Sequence, residues 1–378
     1  PFRIDTFDTP EKLERHKLKL PYAPMAQKTS AMYPMPVPLP CKYVEGTDDV
    51  WAVARESLKN LRGLLVHGGP GNGKSYMIQK LLDEVPEEIP VHRMSRTHVT
   101  ARTIKGDTTS HWLNHHCKGG LRTPCVIFVY EFWLHEYNLL ARLHAFSLLP
   151  DVCFICTGDE LQLDAIGNLH GATQVPFEAL RESDMLKLMC PTWIELTENK
   201  RSDPITHAFV TKCRTKRKAD LLGEARATFQ FKGEVDTHLV MSNTKRRRIN
   251  VERNEATRPP DAQLLEASDT KIWLHAGLKL QGHLPQKARQ ICNGIVYTVT
   301  AFGESSLTVE DDQGSYTVPM EFAKKSFRLA YARTIFSAQS QTLHGTIAIH
   351  DMNSSFATEK HLLTAVSRGT SYDLIRVE

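Results

Sequence analysis

Short apolar runs, each followed by a stretch with helical spacing, dominate the chain from about residue 50 to 200. Leu64–Val66, Val126–Val129 and Val152–Cys156 are continuously apolar rather than alternating, as in strands covered on both faces, and Val91–Met94 and Trp193–Leu196 also read as strands. Helical patterns follow at 75–84, 136–148 and 178–189. Strands alternating with helices predict a parallel sheet flanked by helices on both sides. A second alternating region runs from residue 204 to the C-terminus, with strands expected at His238–Met241, Ile347–Ile349 and Leu374–Val377. Inside it the pattern changes. Ile295–Val299, Leu307–Glu310 and Tyr316–Val318, with the tight turn Asp312-Gln313-Gly314, predict a small antiparallel β-barrel inserted at about 270–325. Arg258-Pro259-Pro260-Asp261 reads as the linker leading towards it. Prolines at 21, 24, 34, 36, 38 and 40 make residues 1–45 an extended, peripheral segment. The expected organisation is therefore an N-terminal extension at 1–45, an α/β domain at 46–203 and a second α/β domain with its insertion at 204–378.

The most specific chemistry lies between the first strand and the first helix, in Gly68-Gly69-Pro70-Gly71-Asn72-Gly73-Lys74-Ser75. Glycines between a strand and a helix let backbone N–H groups turn onto phosphate oxygens, and the helix N-terminus adds its positive end. Lys74 is placed to reach the β- and γ-phosphates and Ser75 to ligate Mg²⁺, with Gly68 to Tyr76 as the nucleotide cradle. The bland alternative is a glycine-rich turn carrying an exposed lysine; the strand–loop–helix context disfavours it.

Downstream residues narrow the chemistry. The strand Val126-Ile127-Phe128-Val129-Tyr130 ends at Glu131, placed as a general base towards an attacking water. Gln162 lies in the loop Thr157-Gly158-Asp159-Glu160-Leu161-Gln162, where an amide can sense a γ-phosphate. Arg201 and Arg368 each follow patterned segments and could together clamp that phosphate. Taken singly, each arginine reads as a surface charge; their order and neighbours favour the clamp.

Composition excludes more than it identifies. The chain has 378 residues, 47 basic and 43 acidic side chains and a net charge of +4, so any polyanion site must come from local clustering. The densest basic run is Lys245-Arg246-Arg247-Arg248, read equally well as a phosphate grip or a solvated helix face. Eight cysteines without a framework suggest free thiols in a reducing compartment. Cys153 and Cys156 fall in an apolar strand and read as core, and His115-His116-Cys117 lacks partners at zinc spacing. No apolar stretch is long enough for a transmembrane helix, so no membrane partner is expected. The chain opens on Pro1 with no secretory pattern, and the native polypeptide is expected to begin earlier.

In this order the motifs resemble those of superfamily-one helicases, in the branch of RecD-like and petite-integration-frequency (Pif-type) enzymes and their short viral or protist forms. The resemblance runs from about 60 to 378. It rests on Gly68–Ser75, Thr97-His98-Val99-Thr100-Ala101, Tyr130-Glu131, Gly158–Leu163, Leu196–Asp203, Val240–Asn250, Asn293-Gly294, Ala330–Leu343 and Leu363–Thr370. It implies two RecA-like P-loop domains, with ATP and Mg²⁺ between them and a single nucleic-acid strand across them. The strand would most readily be DNA, travelled 5′→3′ by a monomer that uses no small molecule besides ATP and water. Replication, repair or recombination in a nucleus or viral replication site would be the setting. By motif position, Thr100, Ser242 and Thr334 would contact the strand backbone, with Lys245 and Arg246 alongside. Trp112, Trp133 and His344 are further candidates for base stacking, with core packing the better reading of Trp133.

Three departures stand out. Motif II normally reads Asp-Glu, but here the Asp is Tyr130, a poor Mg²⁺ ligand; Asp159 is the carboxylate expected to compensate. Motif V has Phe336-Ser337-Ala338-Gln339-Ser340 where a His-Lys-Ser-Gln-Gly stretch is usual. The interval between His111 and the motif II strand leaves little room for a strand-splitting wedge. A hydrolysis-impaired, ATP-gated clamp and an RNA helicase of the same superfamily are the alternatives. A P-loop kinase is disfavoured by the second α/β domain.

Overall fold

Every strand in the first half that the hydropathy pattern marks is present in the computed structural model, which describes residues 42–45, 49–115, 121–170, 173–267, 270–283 and 291–378. The chain divides into two units, Pro1–Arg201 and Ser202–Glu378.

The first unit is built on β1 (Lys42–Glu45), β2 (Leu64–Gly68), β3 (Val91–Ser95), β4 (Asp107–Thr108), β5 (Cys125–Tyr130) and β6 (Val152–Gly158). A short hairpin, β7 (Leu169–His170) and β8 (Thr173–Gln174), precedes β9 (Thr192–Leu196). Seven strands form one parallel sheet in the order β1-β9-β2-β6-β5-β3-β4. Its helices are α1 (Val50–Lys59), α2 (Lys74–Asp83), α3 (His98–Thr103), α4 (Thr109–His115), α5 (Tyr137–Ser147), α6 (Phe177–Arg181) and α7 (Asp184–Met189). Successive strand residues point to opposite faces, and both faces are packed. Leu65, Ile127, Val129, Phe154 and Cys156 join one core with Trp112, Trp133 and Phe146. Leu64, Val66, Val126, Phe128, Cys153 and Ile155 join the other with Met77, Ile78 and Leu81 of α2. Double-sided burial explains why these strands read as unbroken apolar runs.

Two expectations need correction here. Residues 42–45 are not part of a peripheral extension: β1 pairs with β9 and widens the sheet. The rest of that extension, residues 1–41, lies outside the described residues, as do His116 and Cys117. The helix expected at 178–189 is two helices, because the Ser183 side chain accepts the Leu186 N–H and starts a new N-terminus. Cys125, Cys153, Cys156 and Cys190 are free and buried, in keeping with a core role. Burial pushes the thiols of Cys125 and Cys153 up to about 11 and about 12.

The second unit carries a four-stranded parallel sheet in the order β18-β10-β19-β20, from β10 (Thr237–Val240), β18 (Ala332–Thr334), β19 (Ile347–Ile349) and β20 (Ile375–Val377). Between β10 and β18 lie β11 (Gln263–Glu266) and β12 (Lys271–Leu274), an antiparallel pair. They are followed by β13 (Lys279–Gly282), β14 (Val296–Phe302), β15 (Ser306–Asp311), β16 (Gly314–Pro319) and β17 (Phe327–Leu329). The last five make an antiparallel sheet in the order β16-β15-β14-β13-β17 around Tyr297, Val299, Leu307, Val309 and Phe327. The insertion was expected as a barrel over about 270–325. Among the described residues it is an open sheet whose edge strands β16 and β17 are not paired with each other, and with β11 and β12 it spans 263–329. The helices of the unit are α8 (Pro204–Cys213), α9 (Lys218–Thr228), α10 (Asn243–Ala256), α11 (Met320–Ser326), α12 (Ile335–Ala338) and α13 (Glu359–Val366).

Candidate active site

The loop between β2 and α2 has the backbone of a phosphate cradle. Gly71 and Gly73 have φ of +83° and +84°, and Gly73 serves as the N-cap of α2 with no side chain capping the helix. The first N–H groups of α2 are therefore left for an anionic ligand. Lys74 Nζ donates to the carbonyls of Gly68 at 2.8 Å and Gly69 at 2.9 Å, folding the ammonium over the loop. Asn72 and Pro70 complete the turn. Tyr76 points away: its ring is 64% exposed and lies under Lys80, so its place in the cradle is limited to its backbone.

The segment after β9 grips this loop from the other side. Asn72 donates its side-chain N–H to the Leu196 carbonyl at 2.6 Å, and the Lys200 N–H donates to the Gly71 carbonyl at 2.9 Å. Arg201 follows directly. Its side chain packs where a Gly71 side chain would otherwise stand, with a Cβ built at Gly71 falling 3.1 Å from Arg201 Cβ. Surrounding protein lowers the Arg201 pKa, opposed by the nearby Tyr130 and Glu131, and a guanidinium in that range stays charged at neutral pH. Arg201 is nevertheless exposed to solvent. It places a cation beside the phosphate cradle.

Glu131 directly follows β5 in a left-handed backbone conformation, φ +53°, and is largely buried. A non-glycine residue held there is strained, and such strain collects at functional sites. Its N–H donates to Thr157 Oγ1 at 3.3 Å, a contact that sequence reasoning missed because Thr157 belongs to a different strand. Gln162 is buried and donates Nε2–H to Asp159 Oδ2 at 3.3 Å, leaving Oε1 without a partner among the described residues. A buried orphan acceptor in the expected sensor loop suits contact with a water or ligand.

The metal expectations fare differently. Ser75 Oγ is bonded to Tyr130 Oη at 2.9 Å. Asp159 is buried, and its carboxylate accepts from the Leu161 N–H at 3.1 Å and from Gln162 within its own loop. Among the described residues no cluster of His, Cys, Asp or Glu could hold a metal ion. The Ser75 oxygen fits Mg²⁺ as a hard ligand, but the remaining ligands would have to be nucleotide phosphates and water.

Of the strand-binding candidates, the structure leaves Ser242 exposed, capping α10 by accepting the Lys245 N–H. It borders an open cavity of about 790 Å³ lined by Met241, Lys245, Asp351, Asn353, Ser354, Phe356 and Glu378. Lys245 Nζ is paired with Asp351 Oδ1 at 2.7 Å, so its charge is already neutralised locally. Thr334 caps α12 through the Ser337 N–H. Burial takes Thr100, Arg246 and Trp112 out of the strand-binding candidates, while Trp133 packs in the core as read. Thr100 is buried with its hydroxyl bonded to Ser95 and Thr97, and Arg246 is buried and donates to Asn243 Oδ1 at 3.1 Å. Trp112 and Trp133 are core residues; Trp112 packs on Phe146 and Trp133 on Phe132 and Phe177. His344 is exposed.

Arg368, expected as the second arm of a phosphate clamp, is buried and turned into its own unit. It donates to the Thr364 carbonyl at 2.9 Å, the Gln341 carbonyl at 3.1 Å and Ser367 Oγ at 2.7 Å. Sequence reasoning also missed Arg333, a buried guanidinium whose NH2 donates to Gln341 Oε1 at 2.9 Å and whose pKa is pushed down to about 10, mainly by burial.

Known proteins give the arrangement its context. A family model described as the viral superfamily 1 RNA helicase core domain matches residues 64–281. Among solved structures, a Pif1 helicase from Candida albicans superposes with a TM-score of 0.65 at 16% identity, covering 88% of this chain and 93% of that one. The Pif1 helicase from Bacteroides in complex with ADP-AlF3 and ssDNA superposes with a TM-score of 0.64 at 16% identity, covering 88% and 92%. At such identity these two likenesses speak for the fold alone. No curated protein matches the chain.

Proposed function

This chain belongs to the viral superfamily 1 RNA helicase family, an ATP-hydrolysing helicase with a Pif1-like fold, and on that premise we propose that it is a 5′→3′ motor on single-stranded nucleic acid. The observation that carries the ATPase reading is the uncapped N-terminus of α2 with Lys74 folded over it and Arg201 fixed beside it. In this reading the α2 N–H groups, Lys74 and Arg201 hold the triphosphate, Ser75 turns its oxygen to Mg²⁺, and Glu131 takes the proton of the attacking water. Mg²⁺ supplies charge neutralisation of the β- and γ-phosphates when bound.

On the strand, the family model describes RNA helicases and matches this chain's own sequence, which supports RNA over the DNA that the motif order implies; the ssDNA in the Bacteroides Pif1 complex belongs to a protein that shares the fold. The polarity rests on the resemblance of motif order, and a single copy of the chain is the acting unit. A clamp that binds but barely hydrolyses is the second reading, favoured by the Tyr130–Ser75 bond.

The test is Mg²⁺-dependent ATP hydrolysis with no strand, with single-stranded RNA and with single-stranded DNA, for the wild type and Lys74→Ala. Turnover raised by the strand and lost in the variant supports the motor. Strand binding with turnover no higher than the variant's supports the clamp. The stronger stimulant identifies the strand, because only a contact to the 2′-OH distinguishes the two backbones.

A further inference from the structure

Ser75 opens the first turn of α2, at the position whose hydroxyl in a P-loop of this spacing faces Mg²⁺. Here that hydroxyl shares a 2.9 Å hydrogen bond with Tyr130 Oη. The phenol is well supported: Tyr130 is the last residue of β5, and its ring meets buried Phe128 edge-on at 6.1 Å. A phenol is neutral at pH 7, so it adds no charge to a Mg²⁺ shell. It equally lacks the negative charge that, in a carboxylate at this place, would repel nucleotide phosphates arriving without metal. The cations of the site are Lys74, held over the loop by the Gly68 and Gly69 carbonyls, and Arg201 beside Gly71, with Glu131 as the acid proposed for catalysis.

We propose that Tyr130, by placing a neutral group beside Ser75 in place of a carboxylate, makes nucleotide binding in this protein nearly independent of Mg²⁺, while hydrolysis still uses the ion. The inference rests on the ATPase reading of the same site. Mg²⁺ and nucleotide affinities are reciprocally linked, so the ratio of nucleotide affinities with and without the ion measures how much the protein contributes to holding it.

The experiment is equilibrium titration of the full chain with a fluorescent ADP analogue, in EDTA and in saturating Mg²⁺, without nucleic acid. Wild type is expected to change affinity by less than about threefold. Tyr130→Asp is expected to weaken metal-free binding and widen the ratio to about tenfold or more, equivalent to about 1.4 kcal/mol. Tyr130→Phe, which removes the hydroxyl without adding charge, stays near the wild-type ratio. A wild type that needs Mg²⁺ by about tenfold overturns the inference without any variant having to fold. A folded Tyr130→Asp with an unchanged ratio overturns it too. If neither condition shows nucleotide binding that Lys74→Ala abolishes, the ATPase reading itself has failed, and the two failures are distinct.

Discussion

Truncating Arg368 to Ala separates a structural arginine from a catalytic one. The guanidinium is 2% exposed and makes three hydrogen bonds inside the second unit. The Thr364 carbonyl keeps a second donor in Ser367 Oγ at 3.0 Å, so its loss is partial. The half-buried Gln341 carbonyl loses its Arg368 donor, which costs at most about 1–3 kcal/mol. Arg368 also lies just past the C-terminus of α13, where a partly buried cation offsets the negative end of the helix by up to about 2 kcal/mol. Together the two are worth about 1–5 kcal/mol. At about 2–4 °C per kcal/mol for a unit of this size, the melting transition should fall by about 2–20 °C. Differential scanning fluorimetry of the full chain measures it, with ATPase assayed below the lowered midpoint. An unchanged midpoint together with abolished ATPase would refute the reasoning: the guanidinium would then be leaving its buried site to serve the nucleotide.

Two further outcomes follow from packing and protonation. A Cβ at Gly158 would fall 2.5 Å from Cδ1 of buried Trp133, so Gly158→Ala should destabilise the first unit by about 1–3 kcal/mol, read as a lower urea midpoint with an unchanged slope. Burial lowers the His135 pKa from 6.5 to about 4, with Nδ1 facing the Glu131 and Phe132 carbonyls and Nε2 facing Thr109 Oγ1 at 2.7 Å. The folded state excludes a proton that the unfolded chain accepts below pH 6.5. This contribution to stability is therefore complete above pH 6.5 and is lost as pH falls towards 4, by at most about 3 kcal/mol. Between pH 7 and 4.5 the wild type should lose more stability than His135→Gln; parallel losses would contradict the assignment.

What could be read from the chain was local. The β2–loop–α2 unit is written in an apolar run, four glycines around a Pro and an Asn, and a helical stretch, all adjacent in sequence. The Ser75–Tyr130 bond joins residues 55 apart, and nothing in either neighbourhood announces it. The basic run 245–248 shows a different limit. A helix advances 100° per residue, so four consecutive basic side chains cannot share one face. Arg246 falls on the same face as Ile249, Asn250 and Asn254, and that face is buried. The spacing of Ile249 three residues after Arg246 was the available signal. Thr100 is a parallel case: Thr97 caps α3, and the hydroxyl at its third residue turns back into the turn and Ser95 instead of outward.

The glycines of the P-loop have a second role that phosphate binding does not require. At Gly68, φ is +143° and a Cβ would stand 2.3 Å from the Leu196 carbonyl; at Gly71 it would press on Arg201 and on Asn199 Oδ1. Asn199 Oδ1 in turn accepts the Arg201 N–H at 3.2 Å, and the Asn72 and Lys200 bonds hold the same segment to the loop. The absence of side chains therefore lets the segment after β9 approach closely enough to deliver a cation to the cradle. The position of Arg201 is fixed by the loop it serves. A substitution at either glycine would displace the arginine as well as distort the cradle, so the two residues act as one unit and their mutational effects should not add.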